Sequence, residues 1–332
     1  MSSLYLDRKN LAVKLDGQAL ALYEDGVKKG TVPLHLLDRV VLRGNVQLES
    51  RLMGALSERN IGLLVLSGRN TEATAMLAAR SHGDAMRRLG QYQTSLDESL
   101  RIPLARWLVL VKVRDQQRLL RDALAARADL RQPLTSALQT LTGIIGQLRE
   151  DAVEIPLASL RGFEGAAAAA YFSGYTHLFA ESLNFNGRKK RPPPDPVNVC
   201  LSLGYTLLHY DAVRACHTVG LDSMLGFYHD LSFGRESLAC DLMEPLRPLM
   251  DRWVWQLFRE RQLRIEHFSA DNGRCQMNKA GRQCFYAFYE SRASSARRLL
   301  RRYGYALAKR CLAVGGSDNV GARMWEPRLC RD

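Results

Sequence analysis

Acidic residues are scarce in this 332-residue chain relative to basic ones. It carries 34 Asp and Glu against 47 Lys and Arg, a formal net charge of +13. A basic excess of this size points to a polyanionic partner, because lysines and arginines that neutralise phosphates release condensed counterions. Nucleic acid is therefore the expected ligand. The chain also has no apolar run near the ~18–20 residues that a bilayer span requires, so no membrane partner is expected. Its seven cysteines are odd in number and form no CxxC pair, which argues against both a zinc knuckle and a disulfide framework. They read as small core residues kept reduced. The first residues, Met1-Ser-Ser-Leu-Tyr-Leu-Asp, have the look of a strand and not of a signal peptide, from which a cytoplasmic location is expected. The N-terminal part contains no phosphate-cradling glycine loop.

What is present divides the chain in two. Residues 1–80 are β-rich. Leu4 and Leu6, then Leu11, Val13 and Leu15, alternate with outward residues, and Asp16-Gly17 and Glu24-Asp25-Gly26 are hairpin turns. A strand at Arg39-Val-Val-Leu42, a short helix over 48–59 and a buried strand at Gly62-Leu-Leu-Val-Leu66 complete this part, a scaffold and dimer contact. Residues 81–96 are mixed and basic and read as a linker, or as a helix joining two domains. From 97 to 332 the apolar residues recur every three or four positions, as in helices. The fold class expected is α+β: a small β-rich domain followed by a larger, all-helical catalytic domain.

Within the helical part, Asp195 and Pro196 predict an N-cap and first turn for a helix that stops at Gly220. Before it lies a stiff basic loop with Arg188, Lys189, Lys190 and Arg191, followed by prolines 192, 193 and 194. That loop is either solvated surface or a phosphate contact. Beyond the helix comes Gly226-Phe-Tyr-His229, then Asp241 and Glu244 three residues apart inside an apolar run. Side chains at i and i+3 share a helix face. A histidine and two such acids can hold a divalent cation, although most acid pairs at this spacing are solvated surface. Pro245 and Pro248 deny amide donors to the carbonyls of Asp241 and Glu244, so a helix here must kink or restart. Glu164 lies near the start of an alanine-rich helix, where a carboxylate can simply complement the macrodipole. Arg235 and Arg247 flank the acids, as phosphate clamps or as ordinary salt-bridge partners.

These blocks together resemble the Cas1 family, the CRISPR-associated integrases of the adaptation machinery. The resemblance runs over nearly the whole chain. It is carried by Arg161-Gly-Phe-Glu-Gly165 with Tyr171-Phe172, by Asp195-Pro-Val-Asn198, by Leu203-Gly-Tyr-Thr-Leu-Leu208, and above all by Gly226-Phe-Tyr-His229 and Asp241-Leu-Met-Glu-Pro-Leu-Arg-Pro248. It implies a homodimer, a Cas2 dimer bridging two such dimers, and insertion of short DNA fragments into a CRISPR array. It implies Glu164, His229 and Glu244 as ligands of Mg2+ or Mn2+, with Asp241 assisting. The chain departs from the pattern in two places. It has alanines where many relatives carry an arginine after Glu164, and Asp230 where many have glutamate. Three functions follow: a metal-dependent DNA integrase, a structure-selective nuclease on the same site, or a non-catalytic DNA-binding scaffold.

Overall fold

A computed structural model describes residues 2–8, 10–66, 73–77, 82–150, 155–190, 192–271 and 274–316. The N-terminal part builds two four-stranded sheets. Strands β1 (Ser2–Asp7), β2 (Leu11–Asp16), β3 (Ala19–Glu24), β4 (Val27–Pro33), β5 (Leu37–Arg43) and β6 (Val46–Leu48) precede helix α1 (Ser50–Glu58), and β7 (Gly62–Leu66) and β8 (Ala73–Leu77) follow it. Both expected hairpins form. Gly17 at φ 58° and the pair Asp25 and Gly26 at 50° and 79° supply the left-handed residues that such turns need. One sheet runs β4-β3-β2-β6 and the other β1-β5-β7-β8, with β1, β5 and β7 parallel.

Central strand β5 is buried on both faces, and successive side chains point to opposite sides. Val40 and Leu42, with Leu63 of β7, enter a small core shared with the other sheet and α1. Val41, with Leu64 and Leu66, enters a second core formed mainly by the helices. This sheet is therefore a wall common to both halves of the molecule.

The helical half comprises α2 (Ala85–Leu96), α3 (Glu98–Ala126), α4 (Arg131–Arg149), α5 (Leu157–Thr176), α6 (Pro196–Val219), α7 (Ser237–Met243), α8 (Arg247–Arg259) and α9 (Lys279–Gly315), with a hairpin of β9 (Phe268–Asp271) and β10 (Arg274–Met277) before the last helix. The segment 81–96 thus contains a capped helix rather than an open tether. Its Gly90 lies against α9 so closely that a Cβ there would sit 1.7 Å from the Cys311 carbonyl oxygen. Helix α6 begins as read from the sequence, with Asp195 accepting from the Asn198 amide at 2.8 Å, and it ends at Gly220 with φ 78°. Cys200, Cys216, Cys275 and Cys311 are buried free thiols, while Cys330 lies outside the described residues. Among the described residues no helix is long and apolar enough to cross a membrane.

A buried ionic knot ties the wall to the helices. Arg39 of β5, fully buried, donates to Asp211 of α6 at 3.0 Å and to Glu290 of α9 at 2.6 Å. Arg297 donates to the same two acids at 3.1 and 2.9 Å, and the Tyr289 and Tyr5 hydroxyls complete the network. Burial alone pushes the Glu290 carboxyl pKa up, but Arg297 and Arg39 outweigh it and hold the group down at about 2. A carboxyl pKa depressed in the folded state contributes stability that is present above the unfolded value, near 4.5, and is lost as pH falls toward 2. Urea unfolding is expected to show a loss on the order of 3 kcal/mol from this group across that window. The Glu290→Gln variant should show a correspondingly shallower acid limb; an unchanged limb would refute the assignment.

Candidate active site

The apolar run after Ser237 folds as a helix because Leu238, Ala239, Leu242 and Met243 are buried in the main core. As the prolines require, it does not continue straight. Helix α7 ends at Met243, a single 3-10 turn covers Glu244–Leu246, and α8 restarts at Arg247. This break turns Glu244 toward α3 and α5 while Asp241 faces the Gly226-Phe-Tyr-His229 loop.

The two acids consequently do different things. Asp241, 1% exposed, accepts three backbone amides, from Phe227 at 2.5 Å, Tyr228 at 2.9 Å and His229 at 3.0 Å. Its Oδ1 also lies 2.7 Å from His229 Nδ1. The carboxylate is saturated by the loop that it organises. Gly226 makes this possible, since a Cβ there would approach Asp241 Oδ2 to 2.7 Å and the Ser237 carbonyl carbon to 2.9 Å. With Nδ1 bonded to Asp241, the Nε2 of His229 turns toward Glu244, 3.9 Å from its Oε1.

Glu244 is 5% exposed and closely paired. Arg247 donates to its Oε1 at 2.6 Å, and the Lys112 ammonium lies 2.6 Å from its Oε2. Desolvation raises its pKa, but Arg247 and Lys112 prevail and bring it to about 2, so the group is ionised. Lys112 also donates to Glu164 Oε1. Burial disfavours the ammonium, yet Glu244 and Glu164 together raise its pKa above the ordinary value. Glu164 is not at a helix start: α5 begins at Leu157, about two turns earlier, so the macrodipole explanation loses its geometry.

Glu164, Glu244 and the Nε2 face of His229 are therefore drawn to one place, and Asp241 stands behind the histidine. Among the described residues no three His, Cys, Asp or Glu side chains are already gathered at ligand spacing, because the Lys112 ammonium lies between the two glutamates. The donor set still fits a hard divalent cation. Two carboxylates face one positive charge, and an imidazole nitrogen is oriented by a carboxylate on its other side. Lys112 is absent from the residues picked out by sequence. Its trace there is a lysine between Val111 and Val113 on a helix side continued by buried Gln116.

The basic residues separate into two groups. Arg188 folds back onto Asn198 Oδ1 at 2.9 Å and Ser202 Oγ at 3.1 Å, and Arg247 is held by Glu244 and lies 4.7 Å from the Tyr205 ring centroid. Behind Arg247, the Tyr205 hydroxyl donates to buried Asp251, which Tyr171 also contacts at 2.9 Å. Lys189, Lys190 and Arg235 are exposed. The Lys190 pKa is lowered first by partial desolvation and then by Arg247 and Arg188, which puts its ammonium within electrostatic reach of the site. Arg191 lies outside the described residues.

Known proteins share this chain's pattern. A profile described as CRISPR associated protein Cas1 matches residues 4–291. A protein of Thermodesulfovibrio yellowstonii named CRISPR-associated endonuclease Cas1 1 is 38% identical over 314 residues, covering 94% of this chain and 98% of its own. Among solved structures, a CAS1 protein from Thermotoga maritima superposes with a TM-score of 0.80 at 24% identity, covering 98% of this chain and 100% of that one. A casposase bound to integration product superposes with a TM-score of 0.76 at 18% identity, covering 93% of this chain and 91% of that one. Those two likenesses are likenesses of fold. The family match over residues 4–291 and the near full-length relative together show that the chain belongs to the CRISPR-associated Cas1 family.

Proposed function

We propose that this chain is a metal-dependent DNA integrase and endonuclease, whose reaction centre is Glu164, His229 and Glu244. The observation that carries this reading is the convergence of two glutamates on one positive charge, with a carboxylate-oriented histidine nitrogen facing the same spot. These three side chains would hold Mg2+ or Mn2+, whose chemistry there is polarisation of the attacked phosphate and stabilisation of its developing charge.

The protein's own residues do the rest. Asp241 accepts the Nδ1 proton of His229 and so keeps Nε2 as the lone-pair nitrogen. Arg247 fixes one oxygen of Glu244, leaving the other free to exchange partners. Lys112 satisfies the paired glutamates and must yield its place between them. Lys189, Lys190 and Arg235 supply exposed positive charge for phosphates flanking the reacting one. A DNA 3′-hydroxyl attacks the phosphodiester: a new P–O bond forms, the old P–O3′ bond breaks, and the proton lost by the attacking hydroxyl is balanced by one gained at the leaving 3′-oxygen. Water in place of the hydroxyl gives hydrolysis. No protein nucleophile is needed.

Family membership supports the remaining parts of the proposal. The chain acts in CRISPR adaptation, as a homodimer with DNA and a Cas2 dimer as partners. The test is strand transfer of short duplexes bearing 3′-hydroxyls into a plasmid containing CRISPR repeats, with Cas2 and Mg2+ or Mn2+ supplied. Joined products that disappear with chelator are expected. Hydrolysis products alone would reduce the protein to a nuclease.

A further inference from the structure

The loop that follows His229 displays an aromatic side chain for which the reaction centre has no use. Phe233 is fully solvated, at 108% relative exposure, and Leu231 beside it is 70% exposed. Their display is held from both ends. Asp230 pairs with Arg101 at 3.1 Å and with Arg161 at 2.5 Å, and the Ser237 hydroxyl donates to the Asp230 carbonyl at 2.9 Å. Between these anchors the Arg235 amide donates to the Ser232 carbonyl at 3.0 Å, and Gly234 takes the left-handed φ of 71° that closes the turn. The tip is thus a fastened turn holding a phenyl ring in water, four residues beyond His229.

The charges around the ring indicate what covers it. No acid occurs between Asp230 and Glu236, and Asp230 is neutralised by two arginines. Arg235, next but one to the ring, is exposed. A flat apolar surface on a basic rim matches a nucleobase, whose neighbouring phosphates meet the arginines while its face meets the ring. Aromatic or apolar side chains inserted at a base step also unstack and kink DNA, which opens a phosphodiester to attack.

We propose that Phe233 stacks on a nucleobase adjacent to the phosphodiester held at Glu164, His229 and Glu244, so that this turn positions DNA and selects the step attacked. The inference rests on the reaction centre proposed above. It is tested with the full chain on a branched duplex carrying 2-aminopurine at nucleotides flanking the junction. The wild-type protein should change the fluorescence at one flanking position. Phe233→Ala should abolish that change and raise KM about tenfold with kcat nearly constant, while Phe233→Trp should keep both near wild type. Fluorescence and KM unchanged in Phe233→Ala would overturn the proposal. So would an altered oligomeric mass of that variant by light scattering with the fluorescence response intact, which would make the tip a protein contact. A Phe233-dependent fluorescence response without any metal-dependent product would uphold the base contact and overturn the reaction centre alone.

Discussion

Replacing Glu164 by glutamine should lower metal-dependent strand transfer and hydrolysis on the order of a thousandfold while leaving the fold intact. The size follows from the role proposed for it. Charge stabilisation by a bound divalent cation contributes several kcal/mol to phosphoryl chemistry, and each 1.36 kcal/mol is tenfold in rate. Glutamine preserves shape but removes the negative charge. The structural cost is small, less than about 1 kcal/mol, because Glu164 is partly exposed and Lys112 retains its contact with Glu244. Single-turnover kinetics alongside thermal unfolding separates the two effects. Near-normal turnover in a folded Glu164→Gln protein would remove it from the centre. Glu244→Gln should lose as much activity and more stability, since Glu244 is buried and paired with both Arg247 and Lys112.

The largest stability effect is expected elsewhere. Asp211→Ala should cost about 3–5 kcal/mol, because it withdraws one partner from buried Arg39 and leaves its guanidinium short of countercharge. Arg297 and the Tyr289 hydroxyl lose the same acceptor. Urea unfolding of Asp211→Ala and of Arg39→Met/Asp211→Leu distinguishes an uncompensated charge from lost packing. The double variant should recover much of the loss, since an apolar replacement of a whole buried pair is often near neutral. A single variant as stable as wild type would show that the knot does not hold the halves together.

Local chemistry made much of this molecule legible in its sequence. Asp195, Pro196 and Gly220 set the limits of α6 because caps and left-handed stops act within a few residues. The apolar block Gly62–Leu66 became β7, and Pro245 and Pro248 foretold the break that separates the tasks of Asp241 and Glu244. What stayed hidden depends on partners distant in the chain. Lys112 looks like one more lysine on a long helix until Glu164 and Glu244 arrive from 52 and 132 positions away. Arg39 reads as a strand residue until α6 and α9 close over it. The segment 81–96 was open between a linker and a joining helix because the surface that covers it, α9, is some two hundred residues downstream. Arg188 was legible only as part of a loop that is solvated surface or a phosphate contact, because nothing local announces its bonds to Asn198 and Ser202. The resemblance to Cas1 supplied Glu164 and the preference for Glu244 as candidate ligands; spacing alone offered only a histidine and two acids.

Helix α9 has a consequence for how the protein is made. Its residues reach the first strand through Arg282 and Asp7, the wall through Glu290 and Arg39, and α2 through Cys311 and Gly90. A ribosome delivers this helix well after the surfaces that it seals, because α9 follows β1, β5 and α2 in the chain. At ~5–20 residues per second, the interval between the emergence of Arg39 and that of Glu290 is on the order of 10–50 s. Throughout it a guanidinium destined for a dry interior remains in water, and the sheet it belongs to can pair its strands but cannot close its second face. Closure of this sheet's second face is thereby made to wait until α9 has emerged.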